Sequence, residues 1–113
     1  MSPVTTHVLD TTRGRPAAGI AVALEITRDG AWHHLGRGTT DDDGRLRTLL
    51  PDGAPLASGA YRLVFDTGAY FASLGVETFY PRIVVEFTVG SAEAHYHVPL
   101  LLSPFGYSTY RGS

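Results

Sequence analysis

Apolar side chains recur at every second position along this chain, and no feature limits its fold more. Ile20, Val22, Leu24 and Ile26 alternate with Ala21, Ala23, Glu25 and Thr27. Tyr61, Leu63 and Phe65 alternate with Arg62, Val64 and Asp66, and Ile83, Val85 and Phe87 with Val84, Glu86 and Thr88. Successive side chains of a strand point to opposite faces, so a period of two marks a strand with one buried face.

Turn residues separate these stretches. Arg28-Asp29-Gly30 reads as a tight turn, because Asp-Gly supplies the positive φ that hairpins need. Residues 31–40 are then the returning strand, with Trp32 as an anchor. Asp41-Asp42-Asp43-Gly44 is the next turn, and residues 45–50 a short strand closed off by Pro51, Gly53 and Pro55. Asp66 or Thr67 caps a short helix running to about Leu74, where Gly75 ends it. Gly90-Ser91 turns the chain into a strand over 94–102. Ser103-Pro104 breaks that strand, and 105–111 form the last. Strands spaced ~8–12 residues apart with turns between them predict an all-β sandwich of two four-stranded sheets with one short helix. At 113 residues the chain is expected to be a single domain, 1–113.

Composition narrows the function. With 43% hydrophobic and 18% charged residues, disorder is not expected. A formal charge of −2 argues against a nucleic-acid partner. No cysteine is present, which removes thiolate nucleophiles and Cys-type zinc sites. All nine cationic residues are arginine, which removes lysine Schiff bases and lysine general bases. The first residues carry no signal-peptide pattern, and no run of ~18 apolar residues would cross a membrane, so a soluble cytoplasmic protein is expected.

Five histidines, nine arginines, the carboxylates, the hydroxyls and the two chain ends are left to carry chemistry. His95 and His97 face the same way on a strand, with Tyr96 and Val98 opposite. Such a pair can take part in a metal site if a third ligand comes from elsewhere, or it can be a hydrogen-bonded surface pair. His7 lies in the strand Thr6-His7-Val8-Leu9-Asp10. His33 and His34 are consecutive, point to opposite faces and read as decoration of a loop or edge strand. The Asp41–Asp43 run lacks the alternating ligands and distal Glu of a calcium loop and reads as a solvated turn. Ser103 and Ser108 sit near the histidines in sequence, without a nucleophile motif. The ending Tyr110-Arg111-Gly112-Ser113 carries an aromatic strand almost to the last residue, which points to a docked tail.

These residues resemble the transthyretin-like protein family. Ser2-Pro3-Val4-Thr5-Thr6-His7-Val8-Leu9-Asp10 with Gly14-Arg15-Pro16-Ala17 is similar to its N-terminal signature. His95-Tyr96-His97-Val98-Pro99-Leu100-Leu101-Leu102-Ser103-Pro104 with Gly106-Tyr107-Ser108-Thr109-Tyr110-Arg111-Gly112-Ser113 is similar to the C-terminal signature of its 5-hydroxyisourate-hydrolysing branch. The Tyr-Arg-Gly-Ser ending separates that branch from the hormone carrier transthyretin, and no motif position departs from the hydrolase pattern.

The resemblance implies metal-free, cofactor-free hydrolysis of 5-hydroxyisourate to 2-oxo-4-hydroxy-4-carboxy-5-ureidoimidazoline in urate catabolism. The implied catalytic residues are His7, Arg45 and His97. The implied substrate-binding residues are His7, Arg45, Tyr110, Arg111 and Ser113. Arg45 matches the family's arginine after the Asp-Gly turn, and His97, not His95, its catalytic strand histidine. The resemblance also implies a homotetramer, a dimer of dimers, whose sites draw on more than one chain. Two other readings stand beside it: a transthyretin-type small-molecule carrier without catalysis, and a zinc amidohydrolase using His7, His95 and His97.

Overall fold

The computed structural model describes residues 2–91 and 94–113. Among these, nine strands and one short helix follow the order β1 (Val4–Asp10), β2 (Arg15–Pro16), β3 (Ala21–Arg28), β4 (Ala31–Thr39), β5 (Arg45–Leu46), β6 (Gly59–Phe65), α1 (Thr67–Ser73), β7 (Ile83–Val89), β8 (Tyr96–Ser103) and β9 (Gly106–Thr109). One sheet runs β2-β1-β8-β9 with β5 attached to β1; the other runs β4-β3-β6-β7. The all-β sandwich with one short helix is therefore as expected. The first sheet has five strands rather than four, because β2 and β5 share one edge of β1: β2 pairs at Leu9 and Asp10, β5 at Thr6 and His7.

Alternation decides what goes inside. Val4 and Val8 of β1 and Val98, Leu100 and Leu102 of β8 meet Val22, Leu24, Ile26, Leu63, Phe65 and Ile83 of the other sheet, all buried. Fully burying such a side chain is worth about 1.5–3 kcal/mol, and this shared layer holds the sheets together. The opposite face of β1 and β8 carries Thr5, His7 and His97 away from the core, with His95 just before β8.

The Asp29-Gly30 turn is as predicted: both residues lie in the left-handed region, at φ 54° and 76°, and Arg28 pairs directly with Ala31. The helix also matches, with the Asp66 carboxylate accepting the Ala69 N–H at its start and Leu74 capping its end. Tyr70 of α1 donates to the buried Asp10 carboxylate at 2.8 Å, clamping the helix to the end of β1.

Four expectations need correction. The strand over 45–50 stops at Leu46, because Leu46 and Leu49 both enter the core, a spacing of three that no strand can present to one face. β8 begins at Tyr96 and ends at Ser103, shifted from 94–102. The last strand is Gly106–Thr109 rather than 105–111. Extending the Leu100↔Thr109 register sets Pro99 opposite Tyr110, and proline has no N–H to continue the ladder. Pairing resumes only at the isolated His97↔Gly112 bridge. Finally, Trp32 is not a core anchor. It pairs with the outward-facing Thr27, and its ring lies 4.4 Å from the Arg62 guanidinium on the outer face. His33 and His34 are exposed on the edge strand β4, as expected.

Candidate active site

Two strands from opposite ends of the chain build the site. β1 and β8 run parallel in continuous register from Val4↔Tyr96 to Asp10↔Leu102, which sets Thr5 beside His97. On the other side of β1, His7 pairs with Arg45 of β5. The strand that delivers Arg45 is aimed by Asp41, whose carboxylate accepts the N–H groups of both Asp43 and Arg45 at 2.9 Å. Those bonds, the one from Arg45 first, hold the Asp41 carboxyl below its ordinary value. The acidic turn is thus solvated, as expected, and also positions the arginine.

A hollow of about 180 Å³ opens on this outer sheet face, lined by Thr5, Thr6, Arg45, Arg47, His95, His97 and Ser113. Arg45, His97 and Ser113 come together in this hollow. His7 does not line this hollow, but it is the register partner of Arg45 and lies close enough to perturb His97. Tyr110 and Arg111 turn into an adjoining hollow with Val85, Phe87, Tyr96 and Thr109, and His97 lines both. Arg111 is held there: its guanidinium sits 4.6 Å from the Tyr96 ring centre and donates to the His95 carbonyl at 3.4 Å.

The tail docks tightly. The Gly112 N–H donates to the His97 carbonyl at 2.8 Å. A Cβ at Gly112 would fall 2.5 Å from His97 Cδ2 and 3.1 Å from Pro99 Cγ. Only glycine lets the backbone approach the imidazole this closely.

Both key imidazoles titrate below their ordinary 6.5. Burial is the main cause at His7, followed by the Arg45 guanidinium, with the Asp43 backbone and the Asp41 and Asp43 carboxylates pulling the other way. Burial again leads at His97, followed by His95, Arg45 and His7, while a hydrogen bond to the Thr5 backbone offsets part of the effect. Both rings are therefore neutral near pH 7 in a pocket rich in guanidinium. A neutral imidazole can take a proton from water, and a guanidinium fork can hold developing negative charge on an oxygen.

Sequence reasoning missed Thr5, Thr6 and Arg47 and gave His95 a role only as a metal ligand in the zinc reading. The His-x-His spacing did signal that His95 shares a face with His97, and their rings stack 6.4 Å apart at 17°. Nothing local pointed to Thr5. Ser103, by contrast, is occupied in closing the β8–β9 hairpin through the Gly106 carbonyl at 2.9 Å. Among the described residues, no three His, Asp or Glu side chains gather as a metal ion would require.

Fold and site together define a transthyretin-like sandwich with a histidine–arginine hollow on the outer face of one sheet. The chain belongs to the HIUase/Transthyretin family, whose model matches residues 4–112. It is 52% identical over 107 residues to the 5-hydroxyisourate hydrolase of Salmonella dublin, an alignment spanning 95% of this chain and 78% of that protein. The solved 5-hydroxyisourate hydrolase of Klebsiella pneumoniae superposes with a TM-score of 0.83 at 41% identity, covering 97% of this chain and 98% of that one. Sea bream transthyretin in complex with thyroxine superposes at 0.90 with 34% identity, covering 97% and 94%. Backbone shape alone therefore does not separate hydrolase from carrier.

Proposed function

We propose that this chain is a hydrolase of 5-hydroxyisourate, opening its cyclic amide to 2-oxo-4-hydroxy-4-carboxy-5-ureidoimidazoline in urate catabolism. The observation that carries the reading is the hollow where Arg45, His97 and Ser113 converge beside His7. An apolar hormone channel would not be furnished with two arginines and two histidines, and relatives 52% and 48% identical to this chain bear the hydrolase name.

In this reading His97 takes a proton from the attacking water, and His7 helps to position that water. Arg45 receives the charge that develops on the attacked carbonyl oxygen. Ser113 orients the substrate, and Tyr110 and Arg111 wall the approach from the adjoining hollow. The enzyme works as a homotetramer of two dimers. The hollow is open on an outer sheet face, and a second dimer facing it would close it into a channel. The exposed side chains of Phe79, Phe105, Tyr107 and Tyr110 supply apolar surface for such contacts.

The test is the ultraviolet decay of 5-hydroxyisourate generated freshly by uricase, followed with and without a chelator, alongside His97→Asn. The wild-type chain should accelerate decay, the chelator should have no effect, and the variant should lose roughly 10²–10⁴-fold, as for loss of a general base. Decay no faster than without protein would overturn the reading, and inactivation by the chelator would replace it with metal chemistry. Sedimentation of a fully active monomer would remove the shared channel.

A further inference from the structure

The Thr5 hydroxyl lies between two imidazoles. Its Oγ1 is 2.8 Å from Nδ1 of His97 and 3.1 Å from Nε2 of His95. Thr5 is 3% exposed, and its β-branched side chain has few rotamers available on a strand. The parallel register beside His97 fixes its height. The carbonyl of His97 is pinned from the other side by Gly112. The groups facing the ring are thus Thr5 and His7 from β1, Arg45 from β5, His95 just before β8, and the docked tail.

Counting protons constrains what this bridge can be. A hydroxyl has one proton to give and two lone pairs to receive with. Both ring nitrogens therefore cannot accept from Thr5 at once; at least one histidine must donate to it. For one proton on each ring and the hydroxyl proton shared within the bridge, two arrangements remain. In one, Thr5 donates to His97 and accepts from His95, so His97 carries its proton on Nε2 and has no free lone pair. In the other, His97 donates from Nδ1 and Thr5 passes its own proton to His95. Nε2 of His97 is then free to act as a base.

Only the second arrangement survives the proton transfer unchanged. When Nε2 picks up a proton from water, the Nδ1–H bond to Thr5 is already in place and nothing must reorient. A hydroxyl also differs from the carboxylate that orients histidine in many hydrolases. It fixes the tautomer without an anionic charge to stabilise the imidazolium. That suits a ring which must rest neutral among arginines before it takes up the proton of water.

We propose that Thr5 is a positioning residue that selects the Nδ1–H tautomer of His97, with His95 as the acceptor that completes the bridge. This rests on the reading of His97 as the base. Thr5→Val removes the hydroxyl and keeps the shape; Thr5→Ser keeps the hydroxyl. With 5-hydroxyisourate as substrate, Thr5→Val should lower kcat roughly 10–100-fold, the scale found when a metal-bound histidine loses the partner that orients it, with KM little changed. Thr5→Ser should restore most of the rate. Independently of substrate, ¹⁵N spectra of histidine-labelled wild-type protein above pH 7 should show His97 protonated on Nδ1, and Thr5→Val should lose that preference.

A wild-type His97 protonated on Nε2 would overturn the proposal. So would Thr5→Val with unchanged kcat, or Thr5→Ser as impaired as Thr5→Val, which would make the methyl group the important part. If Thr5→Val does not fold, the wild-type spectrum and Thr5→Ser decide the matter. An Nδ1–H signal in a chain that fails to hydrolyse 5-hydroxyisourate would refute the function and uphold the tautomer.

Discussion

Gly112→Ala is the sharpest perturbation of the site, because it adds one methyl group at the point where the tail meets the imidazole. The new carbon would lie 2.5 Å from His97 Cδ2 and 3.1 Å from Pro99 Cγ. Carbon atoms pack comfortably at about 3.5–4.0 Å, so the nearer contact is about 1 Å too short. Pro99 is buried within β8 and bears on the same methyl group, so the backbone there cannot give way. Either the imidazole turns out of line or the tail lifts away, taking Ser113 from the hollow. Misplacing a reacting group by ~1 Å costs on the order of 10²-fold in rate. The sandwich core lies elsewhere, so relief of the clash by the ring or the tail leaves the buried apolar layer intact. We therefore expect about 10²-fold slower turnover of 5-hydroxyisourate in the ultraviolet assay, with circular dichroism and melting temperature close to wild type. Full activity in Gly112→Ala would refute the reasoning, since it would mean that neither the His97 ring nor the docked tail needs to be where it is.

Arg45→Lys keeps the charge but loses the planar fork, so it should fold normally and lose most activity; unchanged kinetics would place Arg45 outside the reaction. Deleting residues 110–113 should abolish most hydrolysis while circular dichroism still reports β-structure, because the tail contributes the isolated bridge to His97 and the outer-face contacts of Arg111 but no strand of the core; an active truncated chain would show the tail to be dispensable. The acid limb of the pH–rate profile should fall below 6.5, because burial holds the folded values of His7 and His97 under that figure and the neutral base persists as pH drops. The same two groups recover their ordinary value on unfolding, so the unfolded chain binds more protons in that window. Stability should be level above pH 6.5 and decline as pH falls through the folded values, and a melting temperature that rose on acidification would contradict this sign.

Local pattern was enough for much of this molecule. The period of two in Ile20–Ile26, Tyr61–Phe65 and Ile83–Phe87 reports which face of each strand is buried, because the steric alternation of Cβ directions acts between immediate neighbours. Asp29-Gly30 and the Asp66 cap are equally local: the φ preference of one residue and the reach of one side chain suffice. His95 and His97 share a face for the same reason, and the Tyr110–Ser113 ending marks the tail. Which strand lies beside which is a different kind of question. The parallel pairing of β1 with β8 joins residues 92 apart in sequence, and it alone brings Thr5 to His97. The antiparallel pairing of β1 with β5 sets His7 against Arg45, and Pro99 interrupts the last ladder only because that register puts it opposite Tyr110. Such pairings come from burying the joint apolar layer of two sheets at the cost of closing long loops. That balance belongs to the whole chain and leaves no mark at any single residue. The outer-face hollow follows from it: its members are spread from Thr5 to Ser113, and only the folded sheet makes them neighbours.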